Sequence, residues 1–437
     1  MRSARDDLIA IYRAAIDAVD PERLVRGRLE RRGARLAIAL GRERVLTPRL
    51  DRVWVAGAGK AALAMARAVA TIAPEVSGVV IAPAAVVGPR GTRLGRIHVL
   101  PGDHPVPGRR SYASTRRLLV ALSRAPRDAT VLFLLSGGAS ALLAAPAPGV
   151  TTADKSALNR WLLRCGADIA TMNAVRKHVS AVKGGGLVRL AAPRTVVTLA
   201  LSDVPGDDLS VIGSGPGVPD PTTFADAIER LRAVAPMGRG VPRRVWQRLV
   251  DGAAGRGPEE TLKPRDPAAR RALAVVIGSN RTALTAAARA ARRLGYRVVR
   301  RRATLRGEAA EVARRLVEEL PDAPGPVCLL AGGETHVTVG DARGLGGRSQ
   351  ELALAAAERL AGRDWTLLAA GTDGIDGRTD AAGAFCDGTT LRRGGRRAAE
   401  RALREHDTYP FFARIGDLFR PGATGTNAMD VVIALRR

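Results

Sequence analysis

The chain has 437 residues, 46% hydrophobic and 25% charged, a globular composition long enough for two or three cores and in no need of disulfides to hold it. Its 69 Lys+Arg against 42 Asp+Glu leave a formal charge of +27, yet aromatics are only 3% and the cations are almost all arginine, scattered along the chain. A nucleic-acid binder would gather its cations on a tail or helix and interleave aromatics, so this surplus argues for a solvated surface whose field favours small anions.

Cys165, Cys328 and Cys386 are far apart and follow no CxxC spacing. They read as reduced thiols, which makes the cytoplasm the expected location. No stretch approaches the roughly 20 apolar residues of a membrane span, and no membrane partner is expected. The five histidines show no metal-ligand spacing.

Taken in chain order, the N-terminal stretch sets Leu8, Ile11, Tyr12, Ala15, Ile16 and Val19 at helical spacing. Short β-branched runs then recur, each followed by a glycine-rich turn and an Ala/Leu-rich helical stretch, the βαβ rhythm of a parallel sheet. Predicted strands cover 53–56, 78–82, 96–100, 130–135 and 195–201, then 274–278, 297–301, 326–331, 365–371 and 431–435. A long helical region starts at Thr151, whose spacing to Asp154 fits a capping box, and runs to the glycines Gly184, Gly185 and Gly186. The polar residues near its end, Asn173, Arg176, Lys177, His178, Ser180 and Lys183, are expected to be exposed donors beside a flexible backbone. A stretch rich in Pro and Gly follows, which places a domain change near residue 240 and predicts domains of 1–240 and 241–437.

The loops carry the chemistry. Val53-Trp54-Val55-Ala56-Gly57-Ala58-Gly59-Lys60 is a strand ending in glycines that open a helix, a turn whose N–H groups and helix dipole favour phosphate or carboxylate. It resembles the dinucleotide fingerprint, but the next strand ends in Ala82-Pro83 and lacks the acid that binds ribose. Nor is it a Walker A loop, since Trp54 and Ala61 replace its first glycine and its Ser/Thr. A lysine at a helix N-terminus opposes the dipole, and a bound anion resolves that conflict. Ser136, Gly137, Gly138 and Ser140 follow a second strand without the full G-x-S-x-G pattern of a serine hydrolase. Asp203, Asp207 and Asp208 then stand at the end of a strand, where carboxylates hold Mg²⁺ or take a proton from a substrate hydroxyl. Gly213-Ser214-Gly215 offers another anion-friendly turn. The second half adds Gly332-Gly333-Glu334, Gly346-Gly347-Arg348 before a helix, Asp373 and Asp376 among glycines, and Thr424-Gly425-Thr426-Asn427. Arg348 is well placed to clamp phosphate or carboxylate bidentately.

Together these motifs resemble the glycerate 2-kinase family, also described as MOFRL-domain or type II glycerate kinases. The stretches are Gly57 to Lys60, Gly102-Asp103-His104-Pro105-Val106-Pro107, Ser136 to Ser140, Met172 to His178 with Lys183 to Gly185, Leu201 to Asp207, Gly332 to Thr335, Gly346 to Glu351, Gly371 to Gly377 and Thr424 to Asn427, all in family order. One departure is visible: Gly108-Arg109 stand where the family commonly carries an acid. The resemblance implies two α/β domains, each a mostly parallel sheet flanked by helices in Rossmann-like fashion, with the active site in the cleft between them. It implies ATP- and Mg²⁺-dependent phosphorylation of D-glycerate to 2-phosphoglycerate, with Lys60, Asp203 and Arg348 at the catalytic positions. Members have also been called hydroxypyruvate reductases, so an NAD(P)H-dependent reductase is the alternative.

Phosphoryl transfer needs cations on the transferring oxygens, a metal bridging phosphates and a carboxylate near the attacking hydroxyl. Lys60 and Arg348 therefore face the phosphoryl group and glycerate's carboxylate, in an order the sequence leaves open, and Asp203 orients or deprotonates the hydroxyl or holds magnesium. Asp207, Asp373 and Asp376 are further metal candidates. Gly57, Gly59, Ser136, Gly137, Gly138, Ser140, Arg176, Lys183, Ser214 and Glu334 are expected to line the substrate and phosphate site. The expected partners are D-glycerate and ATP, with no nucleic acid, for a monomer or homodimer.

Overall fold

The computed structural model describes residues 3–41, 43–322 and 324–437. The chain forms two compact units, one of Pro21–Ser202 and Asp207–Ile277, the other of the N-terminal segment to Asp20, Asp203–Gly206 and Gly278–Arg437. The Pro/Gly-rich stretch around residue 240 lies within the first unit. Its helices Phe224–Val234 and Arg243–Ala253 bury Leu231, Val245 and Leu249 against Leu158, Leu162 and Val175, so the packing changes hands at 277/278.

In the first unit a small antiparallel sheet of β1 (Leu29–Arg32), β2 (Arg35–Ala39) and β3 (Val45–Leu46) precedes the main one. The main sheet comprises β4 (Val53–Ala58), β5 (Ser77–Pro83), β6 (Thr92–Leu94), β7 (Ile97–Gly102), β8 (Thr130–Ser136), β9 (Thr195–Leu201) and β10 (Ala272–Gly278). Their order is β10-β9-β8-β4-β5-β7-β6. Pairs β4/β5, β4/β8, β5/β7 and β8/β9 are parallel, and β6 runs antiparallel to β7. The central strands are apolar on both faces because helices cover both. Val55, Val80, Leu132, Leu134 and Leu199 pack with Met65 and Val69 of the helix Ala62–Ile72. After β4 the chain first builds outward through β5 and β7 and then returns to the other side of β4 with β8. The ends of β4 and β8 therefore form a topological switch point, where open α/β sheets bind ligands.

The helical region predicted from Thr151 is two helices, Thr152–Arg164 and Ile169–His178. The Thr151 capping box forms, but Gly166 turns left-handed at φ +74° and Asp168 caps a new start. The residues read as exposed at its end prove otherwise: Asn173, Lys177, His178, Ser180 and Lys183 are buried, and Arg176 is partly covered. They are covered because they pair internally, Lys177 Nζ with Asp220 Oδ1 at 2.9 Å and His178 Nε2 with Glu260 at 3.2 Å.

The second unit opens with the helix Ala4–Ala18, capped reciprocally by Ser3 and Asp6, which buries Leu8, Ile11, Tyr12 and Ala15. Its sheet comprises β11 (Arg297–Arg300), β12 (Leu305–Glu308), β13 (Val327–His336), β14 (Thr366–Gly371), β15 (Gly383–Asp387), β16 (Leu418–Phe419) and β17 (Asp430–Arg436). The order is β11-β13-β17-β14-β15-β16, with β12 also on β13. This sheet is mixed: β11 and β12 lie parallel to β13, whereas β17 runs antiparallel to both β13 and β14, and β15 antiparallel to β14. The connection 372–382 is too short for a helical crossover, which forces β15 to reverse. Among the described residues no helix is long and apolar enough to cross a membrane.

Candidate functional site

In the first unit the loops after β4 and β8 are locked together. Gly59 has φ +144°, and a β-carbon there would lie 2.0 Å from Ser136 Oγ. Lys60 N donates to Gly137 O at 2.8 Å and Ala61 N to Ser136 Oγ at 3.1 Å, so the buried Ser136 hydroxyl fastens one loop to the other. Gly57 packs its α-carbon face against Leu134. A β-carbon at Gly138 would stand 3.0 Å from the His104 ring and 3.2 Å from Lys60 Cγ. The Lys60 stem, the imidazole and this glycine thus converge at one point. Burial, and then the Lys60 charge, lower the His104 pKa.

Beside them lies a cavity of about 190 Å³ with Gly138, Ser140, Lys155, Asn159, Arg176 and Lys183 in its walls. Lys183 Nζ donates to Ser140 O at 2.9 Å and to Ser140 Oγ at 3.1 Å. Ser140 Oγ is 3.2 Å from Ser214 Oγ, which donates to Asn173 Oδ1 at 3.2 Å. Gly184 and Gly185, both left-handed, donate their N–H groups to Ser214 O and Gly215 O, and this fixes the Lys183 turn. Arg176 Nε donates to Asn159 Oδ1 at 3.0 Å. Lys155 is 2% exposed and donates to Ala145 O at 3.2 Å. Burial and the Arg176 charge bring its ammonium down to about 7. Lys183 is pulled well below the usual lysine range by burial, then by Lys155 and Arg176. Ser136, Gly137, Gly138, Ser140, Arg176, Lys183 and Ser214 are thus brought to one place with Lys60. Lys155 and Asn159 belong there too, and sequence reading passed over them. Their signal was one of only five lysines with a polar residue one helical turn on.

In the second unit Arg348 begins the helix Arg348–Leu360. Its Nε and Nη2 donate to Asp430 at 2.7 and 2.9 Å, and its Nη1 pairs with Glu334. Burial opposes the Arg348 charge, but Asp430 and then Glu334 hold it protonated. Asp376 is buried and accepts from Ser349 N at 3.1 Å and Gln350 N at 2.9 Å, which makes it the cap of that same helix. Desolvation lifts its carboxyl to about 6, against the pull of those donors. Asp373 accepts from Ile375 N at 3.2 Å in a loop that Thr424 closes. Asp203 follows the end of β9 and packs with the second unit, whereas Asp207, at φ +59°, belongs to the first. Among the described residues no group of three or more His, Cys, Asp or Glu is arranged to hold a metal ion.

Residues 7–250 match the family described as a domain of unknown function, DUF4147, and residues 327–430 match the MOFRL family. The chain is 37% identical to a glycerate 2-kinase of Pyrococcus horikoshii over 96% of its own length and 94% of that protein's. It is 39% identical to an Agrobacterium vitis protein named as a hydroxypyruvate reductase, covering 98% of this chain and 94% of that one. The crystal structure of a glycerate kinase from Thermotoga maritima superposes with a TM-score of 0.82 at 33% identity, over 99% of both chains. The chain belongs to the glycerate 2-kinase family.

Proposed function

We infer that this protein is a glycerate 2-kinase, which transfers the γ-phosphoryl group of ATP to the 2-hydroxyl of D-glycerate. The observation that carries this reading is the convergence of Lys60 and Gly138 at the switch point, beside a cavity walled by buried cations. Both substrates are anions, and a site of this kind supplies what phosphoryl transfer asks of a protein: fixed positive charge and alignment.

In this reading Lys60 neutralises the transferring phosphoryl oxygens through its side chain. Asp203 orients the attacking hydroxyl and takes its proton. Arg348, held in one orientation by Asp430 and Glu334, adds a second fixed charge. Asp207 would be the carboxylate to hold a Mg²⁺ ion bound with the triphosphate. Such an ion, arriving with the triphosphate, supplies charge neutralisation on the phosphate oxygens.

The test is the product formed from D-glycerate and ATP, identified by NMR: 2-phosphoglycerate is expected, and absence of any phosphorylated glycerate overturns the reading. A hydroxypyruvate reductase is the second reading because one relative bears that name. The β5 end, Ala82-Pro83, offers no carboxylate to the adenosine ribose of NAD. Hydroxypyruvate with NADH or NADPH is expected to leave the nicotinamide absorbance unchanged.

A further inference from the structure

The cavity beside Gly138 contains more charge than the catalytic triplet explains. Lys155, Arg176 and Lys183 share it with the exposed Arg160 and with His104, and among the described residues that line it there is no Asp or Glu. Elsewhere in the same unit a buried lysine is paired with a carboxylate: Lys177 has Asp220 at 2.9 Å. Lys155 instead has a backbone carbonyl, and Lys183 a carbonyl and a hydroxyl. Gathering cations in a cavity without a carboxylate is unfavourable until an anion enters.

We propose that Lys155, Arg176 and Lys183 form the subsite that takes the carboxylate of the three-carbon hydroxy acid, and that they make the enzyme select acids over neutral polyols. This rests on the kinase reading above. The cavity, at about 190 Å³, suits a three-carbon acid and is too small for a nucleoside triphosphate. Gly138 forms part of its wall, and a β-carbon there would lie 3.2 Å from Lys60 Cγ, so a carboxylate seated among the three cations leaves its neighbouring hydroxyl on the side of Lys60. The depressed pKa values of Lys155 and Lys183 fit cations waiting for a counter-ion, and a bound carboxylate relieves them.

The test is Lys155→Met, which keeps the length of the side chain and removes its charge. Loss of one charged hydrogen bond should raise the KM for D-glycerate about 10- to 100-fold, with the KM for ATP unchanged within about twofold. D-glycerate alone should raise the melting temperature of the parent protein and not that of the variant, and glycerol should raise neither. An unchanged glycerate KM overturns the proposal, as does a rise confined to the ATP KM, which would assign the cavity to phosphate. A parent protein that fails to phosphorylate glycerate refutes the kinase reading instead, and the melting shift still reports on the subsite. Should Lys155→Met not fold, Arg176→Gln carries the same expectations.

Discussion

Arg348 and Asp430 meet side on, with Nε and Nη2 of the guanidinium donating to the two carboxylate oxygens at 2.7 and 2.9 Å. Asp430 is buried at the first position of β17, and Glu334 near the end of β13 takes the third donor of the fork. A planar fork held by two strands has one orientation. Asp430→Asn preserves the shape but loses the charge and turns an amide N–H toward the guanidinium. The expected result is a fall in kcat of about tenfold or more with the far-UV circular dichroism intact. Glu334→Gln should cost less than Asp430→Asn, because that carboxylate is exposed and holds one donor of the fork where Asp430 holds two.

Lys60 enters the site through its side chain but holds the loop through its backbone, since it is the N–H that donates to Gly137 O. Lys60→Ala therefore separates chemistry from folding. Removing one charge-stabilising donor should lower kcat on the order of 10²–10³ while the melting temperature stays within about 2 °C. A variant with near-parental turnover would remove Lys60 from the mechanism.

The fastening of the two loops also predicts a stability effect. Any β-carbon at Gly59 would collide with Ser136 Oγ at 2.0 Å and Ser136 O at 2.7 Å, at φ +144°. Gly59→Ala should cost about 2–4 kcal/mol in urea unfolding, through backbone strain and overpacking together. Adding Ser136→Gly should not restore it, because the carbonyl remains in the way.

The strands that build the first sheet were legible because a parallel, doubly covered strand is a continuous apolar run, as at Thr130–Ser136 and Thr195–Leu201. The edge strand Thr92–Leu94 and the short Leu418–Phe419 pair escaped notice, being too short to show a period. The glycine turns at Gly57 to Lys60 and Ser136 to Ser140 announced themselves by composition, and their closeness follows from strand order that no local window contains. Lys155 was passed over for a different reason. A lysine in an amphipathic helix reads as solvated, and only the fold shows that its ammonium ends beside Arg176 and Lys183. Asp376 read as a metal candidate from its glycines, whereas its position makes it a helix cap, a role set by Ser349 and Gln350, 27 and 26 residues earlier.

Lys155 is lowered to about 7 by burial and by Arg176 on the following helix, with Lys183 as a further like-charged neighbour. Only its protonated form attracts a carboxylate, so kcat/KM for D-glycerate should fall as pH rises through about 7, toward tenfold per unit. At saturating D-glycerate the fall in kcat should come at higher pH, because the bound anion favours the charged amine. In Lys155→Met the kcat/KM limb near 7 should disappear. A limb that stays near 7 in the variant would place the titration elsewhere. Stability carries the same sign information. The folded chain holds this proton less tightly than the unfolded one, whose lysine titrates near 10.5, so stability should rise with pH between about 7 and 10.5. Urea unfolding of the parent protein across that window should show the rise, and the Lys155→Met variant should show a smaller one, because the lowered Lys183 still contributes with the same sign.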